Sequence, residues 1–209
     1  MKKLNCLCVL IFAVVLVTVI PVQADVFYGN NVTSIIRGTT PGDFPGQYYG
    51  GTYPGSYPVI LTEAEAKAAV LGAPDTKFLS FPGGGETNSY VEVSFPGTFF
   101  SSADLIVTEM ADSNESARLF LWFADLSGNL QFNITTGASN DILVDLSSYS
   151  ALIDGKGGIY KVGVMGLDQN GASKGFDLDA VGVRVVPEPL TLLLLSLGLV
   201  GIAGLRRKH

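Results

Sequence analysis

Two long apolar runs, one near each end of the chain, confine a water-soluble fold to the residues between them. Leu7–Ile20 spans 14 residues, and Leu190–Leu205 spans 16 residues without a charge. Runs of this kind at chain ends are typical of targeting and membrane segments rather than of a soluble core. We therefore expect one soluble domain over 25–186, because about 160 residues suffice for a single hydrophobic core.

The first apolar run has the layout of a secretory signal. Lys2 and Lys3 supply a positive start, and small side chains follow the run up to Ala24. The run is shorter than the roughly 20 residues that a membrane-spanning helix needs. The pattern predicts a signal peptide over 1–24, with a signal helix that signal peptidase removes by cutting between Ala24 and Asp25.

The second apolar run is flanked on both sides by residues with a special role. Pro187, Glu188 and Pro189 precede the run and form a stiff extended segment, because proline fits neither a central strand nor a helix interior. The pattern predicts a C-terminal membrane helix over 190–205, with the residues before it on the outside by the positive-inside rule. The basic stop-transfer cluster that follows is Arg206, Arg207 and Lys208.

The order VPEP, TLLLLSLGLVGIAGL and RRKH resembles the PEP-CTERM sorting signal of bacterial exported proteins. The resemblance covers 187–209 only. It implies that an exosortase, a membrane protease-transpeptidase, recognises Pro187, Glu188 and Pro189. It also implies export across the inner membrane, transient anchoring in the membrane, and a final place at the cell surface or outside the cell.

Composition excludes several functional classes for the middle of the chain. Residues 25–186 hold 8 lysines and arginines against 18 aspartates and glutamates, so nucleic-acid binding is not expected. Cys6, Cys8 and His209 all lie outside this range, which removes thiol, zinc and imidazole chemistry. Gly83–Gly85 lacks the lysine of a phosphate-binding loop. We therefore predict that the protein is not an enzyme.

The middle of the chain predicts a mainly β fold, a single jelly-roll-like β-sandwich. Short runs rich in β-branched and aromatic residues alternate with turn-forming clusters. Ser127–Asn129 has the composition of a hairpin turn. The predicted strands are Val32–Arg37, Lys77–Phe81, Tyr90–Phe95, Leu105–Met110, Arg118–Ala124, Leu130–Thr135, Ile142–Leu146, Ile159–Gly166 and Asp179–Val185.

One short helix is predicted beside these strands. Thr62 followed by Glu65 forms a capping box, and Gly72 is placed as a C-cap. The apolar content of this helix is mainly alanine, so we expect a plug across one end of the sandwich.

Two aromatic segments are candidates for sugar binding. Gly38–Pro58 is too rich in glycine and proline for a regular strand, and its tyrosines either stack on sugars or cover the edge of the core. The tyrosines of this segment are Tyr48, Tyr49, Tyr53 and Tyr57.

Leu119–Phe123 is apolar on both faces, which predicts a central strand covered on both sides with Trp122 in the core.

Acidic residues near the last strand predict a calcium site. Alternation places Asp177 and Asp179 on one side of the strand, where a hard cation would relieve their repulsion. Asp75 and Glu109 are further ligands if the fold brings their loops together. The alternative is that each acid is a turn cap or a solvated edge residue.

The middle also resembles secreted β-sandwich domains with a galactose-binding-like or discoidin-like fold. The resemblance implies loops at one end of the sandwich that hold calcium or a glycan. A longer acidic loop is missing before the strand of Asp104–Glu109, where this chain has FPGTFFSSAD. The elements that carry the resemblance are Val70–Asp75, Gly83–Glu86, Asp104–Glu109, Asp125–Asn129 and Gly175–Val181.

Two functional hypotheses follow from these patterns. In the first, the protein is an exported surface or matrix component that binds polysaccharide in a biofilm, with Trp122 or the loop tyrosines stacking on sugar rings. In the second, it is a structural or adhesive surface protein with no small ligand. Exposed aromatic side chains would favour the first.

Overall fold

The computed structural model describes residues 24–38, 42–84, 88–110, 114–137 and 140–185. Within these ranges the chain is mainly β, and Asp25–Val185 is one compact unit. None of the helices in the described ranges is long and apolar enough to cross a membrane. The predicted signal segment up to residue 23 and the predicted membrane helix over 190–205 lie outside these ranges, as do Pro187, Glu188, Pro189, Arg206, Arg207 and Lys208.

All nine predicted strands are confirmed, and the described ranges contain three more, named β1, β3 and β4. The strands are β1 (Asp25–Tyr28), β2 (Asn31–Ile36), β3 (Tyr48–Thr52), β4 (Val59–Leu61), β5 (Lys77–Phe81), β6 (Tyr90–Phe99), β7 (Ala103–Glu109), β8 (Ser116–Phe123), β9 (Asn129–Thr135), β10 (Asp141–Asp145), β11 (Ile159–Gly166) and β12 (Phe176–Val185). The described ranges contain two short helices, α1 (Glu63–Ala68) and α2 (Ser150–Gly155), and a 3-10 turn over Ser147–Tyr149 precedes α2. Helix α2 was not predicted, because only one short helix was expected from the sequence.

The strands form two antiparallel sheets. The seven-stranded sheet has the order β10-β7-β12-β5-β3-β4, and β1 pairs with the C-terminal half of β12. The five-stranded sheet has the order β2-β6-β11-β8-β9. The predicted hairpin is confirmed, because β8 and β9 pair antiparallel from Ser116 opposite Thr135 to Trp122 opposite Asn129.

The hydrophobic core lies between the sheets, and β8 shows how the sequence builds it. Leu119 and Leu121 are fully buried, whereas Phe120 and Trp122 lie half-buried on the opposite face. The prediction of a strand covered on both faces, with Trp122 in the core, is therefore wrong. Only one face of the five-stranded sheet packs on the other sheet, and the aromatic rings on the other face are covered by neighbouring side chains instead.

The glycine- and tyrosine-rich segment contains a regular strand, so the prediction that it cannot form one is also wrong. Strand β3 pairs with β4 and with β5. A Cβ atom at Gly50 would lie 2.0 Å from the carbonyl oxygen of Phe78 in β5. Glycine is therefore required where the two backbones approach each other.

The predicted helix is present as α1 with its capping box intact. The backbone N–H of Thr62 donates to Glu65 Oε2 at 2.8 Å, and the backbone N–H of Glu65 donates to Thr62 Oγ1 at 3.3 Å. The helix ends at Ala68, before the predicted C-cap Gly72. Its buried alanine, Ala66, joins the core of the sandwich.

Candidate functional site

Asp179, one of the predicted calcium ligands, holds the loop that precedes β5. Its carboxylate accepts hydrogen bonds from the backbone N–H of Asp75 at 3.2 Å and of Thr76 at 3.0 Å. The Asp75 carboxylate pairs with Lys77 Nζ at 2.6 Å. Burial raises the pKa of Asp179 above its ordinary value. The two predicted ligands thus meet through the backbone of Asp75 and not through their two carboxylates.

The other two predicted ligands, Glu109 and Asp177, lie beside Glu115. All three side chains are buried. Glu115 Oε2 accepts a hydrogen bond from the backbone N–H of Asp177 at 3.2 Å. Glu115 Oε1 makes no hydrogen bond within the described ranges. A Cβ atom at Gly171 would lie 1.8 Å from Glu115 Oε1, so this loop position, at a φ of +88°, accepts only glycine.

The electrostatics of these three acids favour a bound proton. Burial raises the pKa of Glu115 to about 11, and the carboxylates of Asp177 and Glu109 add to the effect. Glu115 is therefore protonated at neutral pH. In the part of the chain that the structure describes, no three Asp, Glu, His or Cys side chains are arranged to hold a metal ion. The predicted calcium ligands are thus divided between two separate groups.

A second group of side chains lies on the outer face of the five-stranded sheet. We call it the Trp122 cluster, and its members come from the neighbouring strands β6, β11 and β8. Alternation along these strands places its members opposite the core-facing valines and leucines. The cluster consists of Tyr90, Glu92, Phe120, Trp122 and Lys161.

A closed set of contacts joins four members of the cluster. Lys161 Nζ lies 2.6 Å from Glu92 Oε2 and 4.7 Å from the centroid of the Trp122 ring. The Tyr90 hydroxyl donates to Glu92 Oε1 at 2.8 Å and accepts from Trp122 Nε1 at 3.4 Å. These contacts hold the indole, the phenol and both charges in fixed positions.

Two further features position the Tyr90 ring. It meets Phe120 edge to face, with the ring centroids 5.5 Å apart. A Cβ atom at residue 163 of β11 would lie 2.3 Å from the Tyr90 hydroxyl oxygen, so Gly163 leaves the space that the ring occupies. The cluster therefore depends on one residue that has no side chain.

The pKa shifts in the cluster fix its charges at neutral pH. Burial alone would raise the pKa of Glu92, but hydrogen bonds from Lys161, Tyr90 and Thr33 hold that pKa below its ordinary value. Burial raises the pKa of Tyr90. Glu92 is therefore an ionised acceptor and Tyr90 keeps its proton. Aromatic rings flanked by a few fixed polar groups are typical of small-ligand and sugar sites.

The tyrosines of the loop segment are mostly used for packing. Tyr49 is buried, and Tyr48 is half-buried with the Arg37 guanidinium 5.2 Å from its ring centroid. Tyr57 contacts Phe78 edge to face. Only Tyr53 among the four tyrosines is classed as exposed, at 37%. Most of these tyrosines thus cover the edge of the core, as the alternative to sugar stacking predicted.

Sequence analysis did not single out Tyr90, Glu92, Lys161 or Glu115. The alternation of inward and outward side chains along a strand could have identified the first three of these residues. In the strands YVEVSF and IYKVGVM the valines face the core, which places Tyr90, Glu92 and Lys161 together on the outer face. Glu115 precedes its strand and had no comparable pattern.

Comparisons with known proteins identify a motif at the C-terminus. Residues 185–208 match the PEP-CTERM protein-sorting motif, so the chain is a two-sheet β protein that carries this sorting motif. A search of curated proteins finds no match. The chain is similar to the xylan-binding module CBM86 of Roseburia intestinalis, with 12% identity, a TM-score of 0.30, and coverage of 77% of this chain and 93% of that chain. It is also similar to the xylan-binding module CBM15, with 14% identity, a TM-score of 0.31, and coverage of 76% and 98%.

Proposed function

We propose that this protein is exported, is processed by an exosortase at its C-terminal motif, and then binds extracellular polysaccharide through the Trp122 cluster. The motif at 185–208 supports the first two steps, because it indicates export and transient C-terminal membrane anchoring. The closed contacts among Tyr90, Glu92, Trp122 and Lys161 support the third step and are the observation that carries it.

Each part of the cluster suits one part of a sugar. The apolar face of a pyranose ring packs on the exposed parts of Trp122 and Tyr90, while sugar hydroxyls donate to Glu92 and accept from Lys161. The side chains are already held by one another, so binding orders few new rotamers and loses little entropy. The acidic balance of 25–186 favours a neutral polysaccharide over an anionic one, because like charges repel.

The test compares two single substitutions in the chain 25–185, which forms one compact unit. Affinity electrophoresis in gels containing the source organism's own extracellular polysaccharide measures retardation of each variant. We expect Trp122→Ala to lower the affinity at least about tenfold. Tyr53→Ala is the matched control, since it removes an exposed aromatic ring from the loop segment.

Three outcomes would separate the candidate roles. Loss of binding in Trp122→Ala alone supports the cluster. Loss in Tyr53→Ala alone assigns the sugar site to the loop segment and contradicts the cluster. No retardation of the unmodified domain contradicts polysaccharide binding and leaves the structural or adhesive role, a role in protein contacts.

Calcium dependence and the processing sites stay predictions. Running the same gels with calcium and with EDTA tests whether Asp75, Glu109, Asp177 or Asp179 supports binding through calcium. N-terminal sequencing of the protein recovered from the source organism tests cleavage between Ala24 and Asp25. We also propose that the sandwich is jelly-roll-like and that the processed protein lies in a biofilm matrix.

A further inference from the structure

An apolar groove of about 280 Å³ opens between the two sheets at the end of the domain where β12 finishes. On one side β1 and β12 line it, with Phe27 opposite Val183 in their antiparallel register. Phe27 is 50% exposed, and Val185 is 39% exposed. The residues that line the groove on the other side are Phe95–Phe99 of β6.

The groove lies where the chain passes from the domain toward both apolar runs of the sequence. Asp25 and Val185 are direct partners in the β1–β12 pair, so both ends of the domain emerge side by side. Val185 is also the first residue of the sorting motif. The surface around this pair is therefore close, along the chain, to the segment that anchors the protein.

The length of the connecting chain limits how far this surface can be from the bilayer. Four residues lie between Val185 and Leu190, where the 16-residue uncharged run begins, so five Cα–Cα steps connect the two. Fully extended, five residues reach at most about 17 Å. The headgroup layer on each side of a bilayer is roughly 5–8 Å thick. While Leu190 is at the hydrocarbon boundary, Val185 lies at most roughly 9–12 Å beyond the headgroup layer, so a domain about 30 Å across can reach the headgroups with the surface around Val185.

Aromatic and aliphatic side chains are favourable in this zone. Phenylalanine and valine are stabilised when their apolar surface leaves water. From the position of the groove we propose that it is a membrane-contact surface, which lies against the lipid headgroup and acyl boundary while the protein is anchored. The contact holds the domain at the membrane until the motif is processed, and it is independent of sugar binding.

Site-specific labelling of the full chain tests this proposal. With Cys6→Ser and Cys8→Ser the chain has no other cysteine. Thr98→Cys then places an environment-sensitive fluorophore at the groove without removing an apolar side chain. Thr135→Cys is the matched control, an exposed threonine at the end of β9 paired with the start of β8. Both proteins are reconstituted in vesicles of phosphatidylethanolamine and phosphatidylglycerol.

We expect blue-shifted emission and quenching by headgroup-depth nitroxide lipids for the label at Thr98→Cys and not at Thr135→Cys. Adding Phe27→Ser should return the first label to an aqueous spectrum, whereas Ile60→Ser, an exposed residue of β4, should not. Equal aqueous spectra for both labels would overturn the proposal. Shielding of the groove label only at high protein concentration in detergent would indicate a second copy of the chain and would overturn the proposal. Shielding only with added exosortase would indicate contact with the enzyme and would also overturn it.

Discussion

The carboxyl group of Glu115 accepts a hydrogen bond from the backbone N–H of Asp177 at 3.2 Å and fills the space that a side chain at Gly171 would need. The acidic groups that face Glu115 are Glu109 from β7 and Asp177 from β12, and both raise the pKa of Glu115. Burial and these neighbours raise the pKa of Glu115 from 4.5 to about 11 on folding. Between pH 4.5 and pH 11 the folded protein therefore binds one proton more than the unfolded chain.

The domain should therefore lose stability as the pH rises. The contribution of this proton is complete below pH 4.5 and decreases as the pH rises toward 11. Glu115→Gln should flatten this dependence and be about 1–3 kcal/mol more stable than the unmodified domain at high pH, because glutamine stays neutral and still accepts the Asp177 N–H. Urea unfolding across the pH range measures it. Glu63→Gln, at an exposed position, is the control and should keep the original dependence of stability on pH. The same dependence in Glu115→Gln would show that Glu115 does not bind the extra proton.

Asp179→Ala should destabilise the domain by about 1.5–3 kcal/mol for each hydrogen bond lost to the charged carboxylate. The substitution leaves the backbone N–H groups of Asp75 and Thr76 without their acceptor. Thr76 has a φ of +71°, which is unfavourable for a β-branched residue and is maintained by this contact. Calorimetric unfolding measures the loss. Asp179→Asn keeps one carbonyl acceptor, so its stability should lie between those of Asp179→Ala and the unmodified domain. Equal stability of all three proteins would show that the contact contributes nothing.

Gly163→Ala should weaken sugar binding about tenfold and cost about 2–3 kcal/mol of stability. The new methyl group would lie 2.3 Å from the Tyr90 hydroxyl oxygen, so the phenol must move and give up its hydrogen bonds to Glu92 and Trp122. Affinity electrophoresis measures the binding. Gly97→Ala, at a position with open space around it, is the control and should bind normally. Full affinity in Gly163→Ala would mean that the position of Tyr90 does not matter for sugar binding.

Lys161→Met should lower the free energy of unfolding by on the order of 3 kcal/mol, because it leaves the Glu92 charge in a site where its side chain is only 13% exposed. Glu92→Gln in addition should restore most of this loss. A double-mutant cycle in urea measures the coupling. Trp122 is the only tryptophan in the chain, so its emission reports the loss of the cation above its ring. Strictly additive effects would show that the pair is not coupled.

Local patterns in the sequence were sufficient for most of the strands and for helix α1. The alternation of YVEVSF, the turn at Ser127–Asn129 and the capping box of Thr62 and Glu65 each depend on residues a few positions apart. Strand β3 was missed because its glycines look unfavourable until β5 is known to lie against them. The need for close backbone approach is a property of the pair of strands and not of either segment.

The candidate sites show the same division. The sorting motif is contiguous, so the sequence alone determined it, together with the acidity of the middle and its lack of cysteine and histidine. The tertiary structure decided that Glu115 lies beside Glu109 and Asp177, that Asp179 binds a loop backbone, and that Trp122 joins Lys161 on an outer face. These neighbours are distant along the chain. Only strand order and register bring them within a few ångströms, and those depend on the packing of the whole domain.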